Sequence, residues 1–251
     1  SLNATNQTLA ARGGTSSLYA DPSIAASTGV QMWTEDYNCD YGQQVVTICD
    51  NQGTLRISFS RPVTNPTLSF AGLGGGASWT SNGTLTAQTV TWTELTMLTA
   101  GVTFAPVGVS TNLTLTNGDT RIVPTVNNPS SSCSANVGTY ATTAFAVCGS
   151  VKLIGTGTAF DISTSIGVRN SVGTCYNHWG NPAGCNGRVE DGWSAVVSVD
   201  EDFGDAPTSY DQTNGAAAVV SDLKIGNAGT SAGAELAESA GTTYNNGASG
   251  I

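Results

Sequence analysis

At 251 residues, the chain is long enough to bury a sizeable core, and its formal net charge of −10 and pI near 4.2 set it against polyanionic partners. Only 10% of residues are charged, and eight Lys and Arg in all cannot build the basic stripe that nucleic acid or an anionic membrane surface requires. No apolar run approaches the roughly 20 residues of a membrane span, and the N-terminus has no basic-then-apolar leader, so the chain is read as mature or trimmed, without direct membrane insertion.

In chain order, residues 1–17 are small and polar and read as a flexible, solvated lead-in. Their Asn-x-Thr triplets, like those at Asn82 and Asn112, carry no weight in a chain so rich in Asn and Thr. From Val30 the pattern turns to strands. Thr54 to Phe59 alternates with Leu55, Ile57 and Phe59 on one face and Arg56 and Ser58 on the other. Arg61 to Pro66 predicts an ordered loop, and Thr67 to Phe70 a further strand. The run Ala71 to Gly76 resembles a phosphate loop only in its glycines. No helix period and no Lys-Ser or Lys-Thr pair follows, so it predicts a glycine-rich turn.

Leu85 to Leu98 is interleaved with threonines at 84, 86, 89, 91, 93, 96 and 99. Two readings fit this array: the solvated side of an ordinary sheet, or a flat ice-binding face. Strand signals recur at Val102 to Phe104, Leu113 to Leu115, Ile122 to Val126, Ala144 to Cys148, Val151 to Ile154 and Phe160 to Val168. Roughly ten to twelve short strands without amphipathic helices predict an all-β fold, an antiparallel jelly-roll or lectin-like sandwich over residues 18–203.

Six cysteines fall into three local pairs, Cys39 and Cys49, Cys133 and Cys148, Cys175 and Cys185. The spacing suggests three hairpin-scale disulfides, although six cysteines allow 15 connectivities, and it points to an oxidising compartment. Zinc is the alternative at Cys175 and Cys185, which flank His178, but there is no Cys-x-x-Cys pair to support it. The loop between them gathers Tyr176, Asn177, His178, Trp179 and Asn181. Rigid rings with adaptable amides suit ligand contact, against the alternative that the rings plug one end of the sandwich.

Trp193, Ala195, Val197 and Val199 then alternate with Ser194, Val196 and Ser198, as a last strand with one face in the core. Seven carboxylates crowd Glu190 to Asp211: Glu190, Asp191, Asp200, Glu201, Asp202, Asp205 and Asp211. Hard oxygen ligands at such a joint suit Ca²⁺, with Asp200, Asp202 and Asp205 as its ligands; a solvated acidic linker is the alternative. Glu190 and Asp191 are adjacent and point to opposite faces of a strand, which does not suit glycoside hydrolysis. With one histidine and no nucleophile elbow, the chain is not read as an enzyme. Residues 204–251, rich in Ala, Gly and Ser with one short helix at Ala232 to Ala240, read as a docked tail or the start of a following module.

Several of these pieces together resemble bacterial cell-wall surface proteins. Arg61 to Pro66, Phe70 to Gly74, Asp191 to Ser194, and above all the run Asp202-Phe203-Gly204-Asp205-Ala206-Pro207-Thr208-Ser209-Tyr210 are similar to the non-repetitive, lectin-like domain of CshA-type fibrillar adhesins and the joint to their repeat modules. The resemblance implies a secreted, wall-displayed, monomeric module of a larger surface protein that binds an extracellular glycoprotein or glycan. Its streptococcal members lack three cysteine pairs. A stalk or fibre module with no ligand is the structural alternative.

Overall fold

The structure, a computed structural model, describes residues 6–40, 46–81, 84–108, 113–124, 133, 146–173, 186–199, 201–203 and 217–219. The chain divides into two compact units, Ser1–Ser198 and Val199–Ile251. The boundary falls a few residues before the predicted stop near Phe203, where the buried alternation of the last strand ends.

The first unit contains twelve strands among its described residues: β1 (Asn6–Thr8), β2 (Thr28–Asp40), β3 (Val46–Thr64), β4 (Thr67–Leu73), β5 (Gly75–Ser81), β6 (Thr84–Met97), β7 (Thr103–Val107), β8 (Leu113–Thr116), β9 (Arg121–Pro124), β10 (Val147–Ile154), β11 (Thr156–Gly173) and β12 (Asn186–Ser198). They form two antiparallel sheets packed as a sandwich. The first runs β1-β2-β12-β4-β10-β7, and the second β3-β11-β6-β9-β8 with β5 on the edge of β6. The second unit contributes a short antiparallel pair, β13 (Glu201–Phe203) and β14 (Ala217–Val219). The predicted helix at Ala232 to Ala240 lies outside the described residues.

Alternation builds the core. Leu68 and Phe70 from β4, Leu95 from β6, Leu153 from β10, Phe160 and Ile162 from β11 and Trp193 from β12 are fully buried. On β3, Ile57 is buried and Leu55 and Phe59 half-buried while Arg56 and Ser58 are exposed, and Phe59 meets Phe160 edge-on with ring centroids 6.1 Å apart.

The chain changes sheet at tight corners. Between β3 and β4, Asn65 takes a left-handed φ of 50°; its N–H donates to Gly155 O at 2.8 Å, and Gly155 N–H donates to its Oδ1 at 2.9 Å. Between β4 and β5, Gly72 and Gly74 have φ of 85° and 105°, conformations that cost a side-chain-bearing residue dearly. The predicted glycine-rich turn is therefore the crossing from one sheet to the other.

Two expectations are corrected. From Asn6 onward the expected lead-in is part of the fold: β1 pairs with Thr28 to Val30 of β2, and Leu9 is fully buried. Short 3-10 turns at Ala10–Arg12, Ser16–Leu18 and Pro22–Ala26 carry Leu18, Tyr19, Ile24 and Ala25 onto the outer face of the first sheet, against Ala71, Val196 and the Cys133–Cys148 disulfide. Tyr19 Oη donates to Phe70 O at 3.2 Å. Apolar residues at 9, 18, 19 and 24 fit neither strand nor helix period, so local pattern does not reveal this packing. Ser194, expected on a solvated face, is consequently 0% exposed, because the first sheet is covered on both sides.

Candidate ligand-binding end of the sandwich

Strand register fixes where the connecting segments emerge. Asp40 at the end of β2 pairs with Asn186 at the start of β12, and Val46 at the start of β3 pairs with Arg169 of β11. Gly173, the last residue of β11, pairs with Ala87, close to the Ser81–Thr84 tip of the β5–β6 hairpin. The residues that border positions 41–45, 82–83 and 174–185 therefore all lie at the same end of the sandwich. At the other end Ser198 pairs with Thr67, next to the Asn65 corner. The 13 residues of β12 separate the two ends by about 40 Å.

The end that carries these segments is tied across the sheets. Cys39 of β2 is bonded to Cys49 of β3 with their Cα atoms 5.9 Å apart, and the bridge is packed on Ile166, Val168 and Val189. Gln52 on β3 donates to Asp36 Oδ2 on β2 at 2.9 Å. At the rim, Tyr37 is 59% and Val46 52% exposed. Replacing Cys39 and Cys49 together by serine is expected to lower the free energy of unfolding by about 2.7 kcal/mol, the chain-entropy value for so short a loop. Urea denaturation measures it, and no change in midpoint would mean that the sheets are held without the bridge.

The predicted contact residues Tyr176, Asn177, His178, Trp179 and Asn181, with Cys175 and Cys185, lie outside the described residues; their anchors Gly173 and Asn186 are in place at this end. Asp200 and Asp205 also lie outside them. Asp202 sits in β13, paired with Ala218, with its side chain outside the described set. Among the described residues no group of three or more His, Cys, Asp or Glu is placed to hold a metal ion. Two of the three predicted disulfides, Cys39–Cys49 and Cys133–Cys148, are present.

Asp191 departs from its expected place in an acidic joint. It points between the sheets, 5% exposed, and its Oδ2 accepts from Thr93 Oγ1 of β6 at 2.6 Å and from Gly74 N–H at the corner at 3.0 Å. Burial pushes its pKa up to about 6, against these hydrogen bonds and the attraction of Arg12. Arg12, at the end of the first 3-10 turn, donates to Gly192 O at 3.1 Å and to Gln7 Oε1 at 2.9 Å, and lies 5.3 Å from the Trp33 ring centroid. Thr91 Oγ1 donates to Glu190 O at 2.9 Å. Thr91 and Thr93, read in the sequence as part of a solvated array, thus bond the second sheet to the first.

A second buried carboxylate escaped the sequence reading. Glu94 on β6 is 3% exposed; Arg121 Nε donates to its Oε2 at 2.7 Å, and Trp92 Nε1–H donates to its Oε1 at 2.9 Å. Thr93 and Glu94 are successive residues of one strand and project to opposite faces, so Asp191, bonded to Thr93, and Glu94 do not converge on a cleft. The signal available in the sequence was an acid between Thr93 and Leu95 in a strand otherwise free of charge. Compared with known proteins, the chain matches no family model, no curated protein and no solved structure.

Proposed function

We propose that the first unit is the ligand-binding sandwich of a bacterial surface adhesin, which holds an extracellular glycoprotein or glycan at the end where Asp40, Val46, Gly173 and Asn186 lie. The observation that supports this reading is the gathering of Asp40, Val46, Gly173 and Asn186 with the Ser81–Thr84 pair at one disulfide-tied end, about 40 Å from Ser198 at the far end of β12. A rigid scaffold presenting loops remote from its attachment is the arrangement that binding modules use. Two disulfides fit an oxidising, extracellular setting, and no helix among the described residues is long and apolar enough to cross a membrane. Weak single contacts are compensated when many copies are displayed together.

Glycan arrays and cell-binding assays on the chain test the reading. Trp179→Ala is expected to cut binding by about tenfold or more, the loss typical of a central aromatic anchor, with the melting temperature unchanged. Unchanged binding would reject the 174–185 segment as the contact. A chain that binds no glycan and no cell would instead be a stalk module.

A further inference from the structure

The residue on which most of the first unit converges is not at the candidate binding end. We propose that Asp191 is a proton-operated latch, one buried carboxyl that joins both sheets, the Gly72–Gly74 corner and the N-terminal segment, and grips them more firmly when protonated.

Four elements meet there. Asp191 belongs to β12 of the first sheet and accepts from Thr93 of the second. Gly74 N–H, donated to the same Oδ2, belongs to the point where the chain crosses between the sheets. Thr93 Oγ1 and Gly74 N–H both donate to Oδ2, and the Thr93 backbone N–H adds a third hydrogen bond to the carboxyl. The neighbouring Gly192 offers its carbonyl to Arg12, which anchors the N-terminal segment through Gln7 and Trp33. A Cβ on Gly72 would lie 3.2 Å from Gly192 O, which shows how closely the corner backs onto β12.

Few charges oppose or support the carboxylate. The N-terminal segment presents Arg12; β6 presents Thr93, with Glu94 on its other face; β2 presents Thr34, paired directly opposite, and Asp36 two residues along the same face, where it accepts from Gln52; Glu190 projects from the opposite face of β12. The anion must therefore be stripped of water between two sheets with three hydrogen bonds and one partly distant cation in return. Because its folded value of about 6 stands above the ordinary 3.8, the stability Asp191 contributes is fully present below about pH 3.8 and is lost as pH rises through about 6.

The test is amide exchange in the intact chain, corrected for intrinsic rates, followed over the segments around Gly74 and Thr93 from about pH 4 to about pH 7.5. The opening constant should rise about 100-fold across that range, the factor that a carboxyl moved from 3.8 to about 6 gives by linkage. Asp191→Asn keeps an acceptor for Thr93 and Gly74 but has no charge to bury, and it should flatten the rise. Should that variant fail to fold, Arg12→Gln serves: with the cation gone, the rise should move to higher pH. The native chain should also show the infrared band of a protonated carboxyl near pH 5, lost as pH increases. A flat native profile, the native slope retained in Asp191→Asn, or an unmoved rise in Arg12→Gln would each overturn the latch.

Discussion

Arg121→Ala is expected to destabilise the first unit by about 3–4 kcal/mol, measured as the fall in urea midpoint at neutral pH. Glu94 keeps 4% of its side-chain surface exposed and is paired with Arg121, whose Nε and Nη2 lie 2.7 Å and 2.6 Å from Oε2. Removing the guanidinium leaves a carboxylate with Trp92 Nε1–H as its remaining neutralising donor. The loss also reaches topology, because among the described residues β9 pairs with β6 at Leu95–Ile122 and Thr96–Arg121, continued by Met97 N–H donating to Thr120 O, and β8 pairs with β9. Arg121 keeps 29% of its side chain exposed and lies 3.7 Å from Asp50, so solvent softens the penalty without removing it. Arg121→Lys should fall between, since an ammonium cannot reproduce the fork. The double change Glu94→Gln with Arg121→Met should recover most of the loss, because the buried charge goes while an acceptor for Trp92 remains. Additive losses in the double variant would show that the two residues do not act as a pair.

Glu94 also marks where local pattern stops being informative. The period-two alternation of Thr54 to Phe59 and of Trp193 to Val199 is a property of a strand with one buried face, and such strands lie close to where the sequence puts them. Strand ends are harder to read. Phe160 to Val168 is the clear centre of β11, yet pairing runs from Thr156 to Gly173, because register shifts between Gly157 and Ala159 and between Thr164 and Ile166 carry the ladder past its irregular points. Ser194 and Glu94 defeat the pattern for a different reason. Ser194 stands on the face that alternation assigns to solvent and is covered there, whereas Glu94 shares the apolar face of Val90 and Trp92 and is joined to Arg121 and Trp92. The pieces that resemble adhesin sequences have a physical meaning as well. Phe70 to Gly74 and Asp191 to Ser194 meet at one corner through the Gly74–Asp191 hydrogen bond and the pairing of Ala71 with Ser194; of the loop expected over Arg61 to Pro66, Arg61 to Thr64 continue β3, because Val63 and Thr64 still pair with β11, and only Asn65 and Pro66 form the other corner. The predicted binding residues between Cys175 and Cys185 lie outside the described part, and only their anchors are in view.

Trp193→Ala is expected to cost about 4 kcal/mol, in the range for emptying a large buried aromatic site. The side chain is 1% exposed, and its Nε1–H donates to Thr34 Oγ1 at 3.1 Å. Thr34 is paired directly across from Asp191, and Trp193 stands two residues along the same inward face, so the indole is part of what keeps water from that carboxyl. The cavity left by alanine is lined on this side by Thr34 and Asp191, polar enough to admit water. Hydration would let Asp191 ionise more readily, bringing its pKa from about 6 back toward 3.8. Two readouts should therefore change together in Trp193→Ala: stability falls at every pH, and its decline between about pH 4 and about pH 6.5 becomes shallower than in the native chain. Trp193→Phe, which fills most of the space but leaves Thr34 without its donor, should cost about 1–2 kcal/mol and keep the native slope. If Trp193→Ala loses stability while retaining the full slope, the tryptophan packs the sheets without setting the environment of Asp191, and the dry surroundings of that carboxyl are supplied by Thr93, Gly74 and the crossing of the chain alone.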